Sequence, residues 1–167
     1  MSQVKTQPYN LSLDVANLPL VAGVPLQMPG GAVANWLDQR LHLQHGPIDL
    51  IISADGATDV VINAFARAAN AFDGLLAALV EELPILRAPA NASPPPDLEG
   101  LVAKRMDEAI RPHLHRYKSD DFITPMVAVA GSVADYILHA MGGGLDRAIV
   151  NNGGDIALHL SKGAFFD

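Results

Sequence analysis

The feature that most constrains this chain is a change of apolar period at Asp55-Gly56. Before it, "NWLDQRLHLQHGPIDLIISADG" (residues 35–56) alternates: Leu37, Gln39, Leu41 and Leu43 fall on one side, and Trp36, Asp38, Arg40 and His42 on the other. A period of two places successive side chains on opposite faces of a strand. "QHGP" supplies turn residues, and Ile48 to Ser53 follows as a second, more apolar run, so an antiparallel hairpin is predicted. After Gly56, Val61, Phe65, Ala68, Phe72, Leu75, Leu76 and Leu79 recur at helical spacing, which predicts one helix over about 58–82. Thr58 or Asp55 is positioned to cap its start, and Pro84 to stop it. Strands whose apolar side needs cover, followed by an amphipathic helix, point to an α+β domain.

The remaining elements follow the same logic. "RAPANASPPPD" (87–97) reads as a stiff surface connection inside one domain. Leu98, Val102, Met106 and Ile110 predict a helix over 98–111, ended by Pro112. "HLHRYKSDDF" (113–122) reads as a charged loop. Thr124-Pro125 is a helix-start signal, an N-cap followed by proline at the first helical position. Met126, Val129, Ala130, Val133, Ile137 and Leu138 form that helix's apolar face, and Gly142-Gly143-Gly144 ends it. Its small residues, Ala128, Ala130, Gly131, Ser132 and Ala134, let another backbone approach. The expected architecture is a mainly antiparallel sheet with two or three helices packed on one face. Residues 1–35, with scattered proline and glycine, read as an irregular arm holding at most one short strand, and 36–167 as a single domain.

Composition excludes several functions. There is no cysteine, so disulfides, thiolate metal sites and a cysteine nucleophile are ruled out. Net charge is −7 with no Lys/Arg run, so a nucleic-acid-binding face is not expected. The first residues lack the pattern of a signal peptide, and no apolar run approaches the roughly 20 residues needed to span a bilayer. A cytoplasmic protein without membrane attachment is the expectation. Half the residues are apolar and only 17% are charged, so part of the apolar surface is expected to be covered by another chain.

"IVNNGGDIALHL" (149–160) carries the chemical question. Asn and Gly tolerate left-handed backbone angles, so Asn151-Asn152-Gly153-Gly154 suits a hairpin turn, with Asp155 capping neighbouring amides. The same residues also suit a ligand. Two bare glycines let a molecule reach backbone amides, and Asp155 offers a strong acceptor for a ribose, a ring N–H or a divalent metal. Thr124, at the start of the preceding helix, would then face an anionic group. Both readings stand at this point.

"FITPMVAVAGSVAD", followed about a dozen residues later by "AIVNNGGDIALHL", resembles the uncharacterised protein family numbered 0280, a relative of the ApbE-type FAD:protein FMN transferases. "RLHLQHGPIDLII", "EELPILR" and "AKRM" are similar to that family's bacterial branch, and the resemblance spans about residues 36–165. It implies an ApbE-like, T-fold-related sheet, and a place beside a flavin nucleotide for Gly153, Gly154 and Asp155. The transferases carry a lysine in the segment before their helix; Met126–Gly131 has none. Such relatives are longer, two-part chains. The resemblance therefore implies a C-terminal half supplied elsewhere: by the rest of a longer chain, by a separate polypeptide, or by a homo-oligomer.

His45 in "QHGPID" is a turn histidine within a family segment and joins the candidate ligand-binding set of Thr124, Asn151, Asn152, Gly153, Gly154 and Asp155. His42, His113 and His115 read as surface or packing residues, Asp120-Asp121 as a solvated cluster, and Asp135, one helical turn after Gly131, as a helix-end acid or a partner of Gly131 on one face. Ser53 and Ser132 lack a nucleophile elbow, and "GGAVAN" and "MGGGLD" lack the phosphate-loop lysine.

Overall fold

A computed structural model describes residues 24–90, 96–116 and 122–166. Six strands form one antiparallel sheet in chain order: β1 (Leu26–Gln27), β2 (Val33–Leu37), β3 (Arg40–His45), β4 (Ile48–Asp55), β5 (Arg147–Asn152) and β6 (Asp155–Leu160). Between β4 and β5 lie α1 (Thr58–Phe72), α2 (Leu75–Glu81), α3 (Leu83–Leu86), α4 (Leu101–Ile110) and α5 (Val129–Met141), with 3-10 turns at Arg111–Arg116 and Pro125–Ala128. The fold is α+β. Among the described residues no helix is long and apolar enough to cross a membrane.

Strand alternation sorts the sheet into two faces. In register, Ala34, Leu43, Leu50 and Asn152 lie across from one another, as do Leu41, Ile52, Val150 and Ala157, and all eight are buried. The helices cover this face. Trp36 meets Phe65 of α1 edge-on at 5.3 Å between ring centroids, and α5 lies along β5 and β6. The α4 helix packs on α5 and the 3-10 turn before it. On the helix-free face stand His42, Asp49, Ile51, Ile149, Ile156, Leu158 and Leu160.

The structure corrects three sequence expectations. The alternation through 36–43 is two strands, because Asp38-Gln39 forms a two-residue turn in which Asp38 takes φ 56°. An aspartate tolerates that left-handed angle, so no glycine marks the turn. As a result β1 and most of β2 lie within the segment read as an arm; residues 1–23 are outside the described residues.

The helix expected over 58–82 breaks at Asp73-Gly74, where Gly74 has φ 81°, and Pro84 lies in the first turn of α3 rather than ending a helix. The break frees the Asp73 carboxylate to accept hydrogen bonds from the Gly30 and Ala32 amides, at 2.7 and 3.4 Å. Finally, Thr124 has cap-like backbone angles, but its side chain makes no capping bond and a 3-10 turn precedes α5. Glu82 holds the segment that leads into α4, accepting from the Glu99 and Gly100 amides at 2.6 and 3.2 Å.

A cleft where the glycine hairpin meets two helices

The β5–β6 connection is a two-residue turn. Asn152 pairs with Asp155, and Gly153 and Gly154 have φ 61° and 111°, the double positive φ of a type I′ hairpin. Both asparagines are committed to structure. Asn151 Oδ1 accepts the Gly154 N–H at 2.9 Å and holds the turn. Asn152 is buried, and its Nδ2 donates to the Ala130 carbonyl at 3.0 Å, tying the hairpin to the start of α5. The glycines face open space: a methyl group built on either meets nothing within 4 Å.

Asp155 is the polar residue of the hairpin left exposed, and strand parity puts it on the helix-covered face, in line with Asn152. It sits at the mouth of a cleft of about 430 Å³ between the α4 residues Arg105 and Glu108 and the α5 side, with Ala128, Gly131 and Asp135. Gly131 again leaves open space. Arg105 donates to Asp135 Oδ2 from Nε at 3.0 Å, and its Nη2 reaches the same oxygen. Both partners are about half exposed, so this pair contributes roughly 0–1 kcal/mol to stability and serves mainly to shape the cleft. Three carboxylates and one guanidinium thus line the cleft. Such a lining favours donors such as hydroxyls, ring N–H groups or amines over a bare anion. Among the described residues no group of three or more histidines or acids is placed to hold a metal.

A second cleft, of about 760 Å³, continues along the same seam and shares Arg105, Glu108 and Asp135. Its far end carries Lys104, His139 and His159; the His159 ring lies 3.2 Å from the Leu145 carbonyl. The seam is therefore acidic at Asp155 and basic at the other end.

Of the seven sequence candidates, the hairpin residues are contiguous but only Asp155 lines the cleft. Thr124 does not line it; Val127 and Ala128 of the 3-10 turn do. His45 stands at the β3–β4 turn, with its Nε2 over Gly31 and its Nδ1 buried without a hydrogen-bond partner. His42 lies within 3.0 Å of Asp49 on the helix-free face. Asp120 and Asp121 are outside the described residues, and His113 lies in the 3-10 turn after α4. Gly131 and Asp135 do share a direction, into the cleft.

Arg105, Glu108, Lys104, His139 and His159 were not singled out from sequence. The signal for the first two existed: with Leu101 they form a three- and four-residue stripe opposite the buried Val102, Met106 and Ile110.

A protein-family model described as AbpE bacteria matches residues 34–167. No curated protein and no solved structure matches the chain.

Proposed function

The chain belongs to the AbpE bacteria family, and on that premise we propose that it binds a small nucleotide- or cofactor-like molecule in the α4–α5 seam, as part of a cytoplasmic enzyme related to the ApbE type. The observation that carries this reading is the position of Asp155: an exposed acid on the covered face of the sheet, lining a cleft, with Gly153-Gly154 just before it and Gly131 in the same lining. Asp155 accepts from a hydroxyl or ring N–H. Gly153, Gly154 and Gly131 give the ligand room. An anionic group on the same molecule points toward the Lys104 ammonium and the His139 and His159 imidazoles. Asn151 and Asn152 hold the hairpin in place.

The second reading is a non-catalytic metabolite-binding or structural subunit whose partner chain carries the chemistry. It is favoured by Asp135 being engaged by Arg105. The first test is the absorbance spectrum of the purified chain, followed by titration with riboflavin, FMN and FAD. Saturable binding that Asp155→Ala abolishes in a folded protein supports the reading. Binding of none of the three, or undiminished binding by the variant, overturns it.

A further inference from the structure

Among the described residues β6 is the last strand of the sheet, an edge that nothing in its own sequence protects. Sheet edges are ordinarily blunted by lysine, proline, a bulge or a covering helix, because their unpaired backbone groups recruit other strands. Here β6 reads Asp-Ile-Ala-Leu-His-Leu, regular from end to end, with its one acid at the turn. Ile156, Leu158 and Leu160 are 55%, 56% and 44% exposed on the helix-free face. The α4 helix does not cover the edge; it stands off, and the two clefts run between it and β6.

Register decides which backbone groups are free. Asn152 and Asp155 close a two-residue turn as a hydrogen-bonded pair, so the bonded positions toward β5 are 155, 157 and 159. The N–H and C=O groups of Ile156, Leu158 and Leu160 therefore point away from the sheet.

We propose that β6 is a self-pairing edge: two copies of the chain join β6 to β6 antiparallel about a two-fold axis at Ala157, continuing the sheet across the seam. The strand is complementary to itself in this register. Ile156 faces Leu158 of the second copy and Leu158 faces its Ile156, so apolar meets apolar and both free backbone pairs bond. Ala157 meets Ala157. Asp155 faces His159 of the second copy, acid against base, on the helix-covered face. An isologous contact has this reciprocity, and in this register it sets apolar against apolar and the acid against an imidazole. The axis stands normal to the sheet, so both helical layers lie on the same side, and each Asp155 cleft gains a histidine from the other copy. The pairing does not depend on the ligand reading, and the experiment below does not use a ligand.

Sedimentation of the purified 167-residue chain is expected to give twice its 17.6 kDa mass. Leu158→Lys, which puts an edge charge where its own ladder needs no side chain, is expected to give the monomer mass with an unchanged circular dichroism spectrum. Ile62→Lys, at an equally exposed apolar position on α1, leaves the dimer intact. Because the chain has no cysteine, Ala157→Cys places a single thiol on the axis and is expected to form a cross-linked dimer under mild oxidation. Leu160→Cys, more exposed but off the axis, is not. A monomeric wild-type chain, a Leu158→Lys variant that stays dimeric, or cross-linking through Leu160→Cys as readily as through Ala157→Cys each overturns the proposal.

Discussion

Asn152→Ala and Asp155→Ala, three residues apart on one hairpin, separate a structural role from a binding role. Asn152 is 8% exposed and its Nδ2 donates to the Ala130 carbonyl at 3.0 Å. That carbonyl lies in the first turn of α5 and keeps a helical partner, so its loss of one bond is not a full desolvation penalty. The hydrogen bond is worth about 0.5–1.5 kcal/mol, and removing the buried amide leaves a small void worth about another 0.5–1 kcal/mol. Asn152→Ala is therefore expected to cost about 1–2.5 kcal/mol, a fall in Tm of roughly 2–10 °C for a domain of this size.

Asp155 is exposed and shares its cleft with two other carboxylates, Glu108 and Asp135. Its removal relieves repulsion as much as it removes contact, so the change in stability should stay within about 0.5 kcal/mol. Thermal unfolding followed at 222 nm measures both. A loss of stability in Asp155→Ala equal to that in Asn152→Ala would refute the assignment of the acid to a ligand.

Three further outcomes follow from the same geometry. Gly153→Asn, at φ 61°, should be nearly neutral, because Asn-Gly suits a type I′ turn, whereas Gly154→Ala, at φ 111°, should cost about 1–2 kcal/mol by urea unfolding. Asp107→Asn breaks a two-pronged pair with Arg111 (2.5 and 3.0 Å) in which the acid is almost fully buried. It should cost about 1.5–3 kcal/mol, read as a lower urea midpoint with unchanged slope. Phe65→Ala removes the ring that meets Trp36 edge-on. It should cost about 3–5 kcal/mol and red-shift the emission of this chain's single tryptophan.

What the sequence revealed and what it hid have physical causes. The β3–β4 hairpin, α4, α5 and the glycine hairpin were legible because their apolar residues repeat at the period of the element and Gly or Pro marks an end. The β2–β3 turn was not, because Asp38 takes a left-handed angle without a glycine and Leu37, Gln39 and Leu41 keep the alternation running through it. The α1–α2 break was hidden for a related reason: Phe72, Leu75 and Leu79 keep helical spacing across Gly74, and all three are buried on both sides of the bend. Asp155 was legible as chemistry, since it is the hairpin's one acid. Its neighbours Arg105 and Glu108 come from about 50 residues earlier, and only the packing of α4 on α5 brings them to it.

The two ends of the seam allow the sign of the ligand to be tested without disturbing the fold. Lys104 is exposed and lines only the larger cleft, away from Asp155, so Lys104→Ala should leave stability within about 0.5 kcal/mol of wild type. Riboflavin and FMN share a ring system and a ribityl chain and differ by one phosphate. A ligand whose polar donors meet Asp155 and whose anionic group reaches the basic end must feel Lys104 only through that phosphate. One charge pair near a protein surface is worth on the order of 1 kcal/mol, about a fivefold change in Kd. Titration calorimetry should therefore show FMN weakened about fivefold by Lys104→Ala and riboflavin unchanged, with the FMN deficit shrinking as salt is raised. Equal weakening of both would place the effect in the cleft's shape, and no change in either would take the phosphate away from this end of the seam.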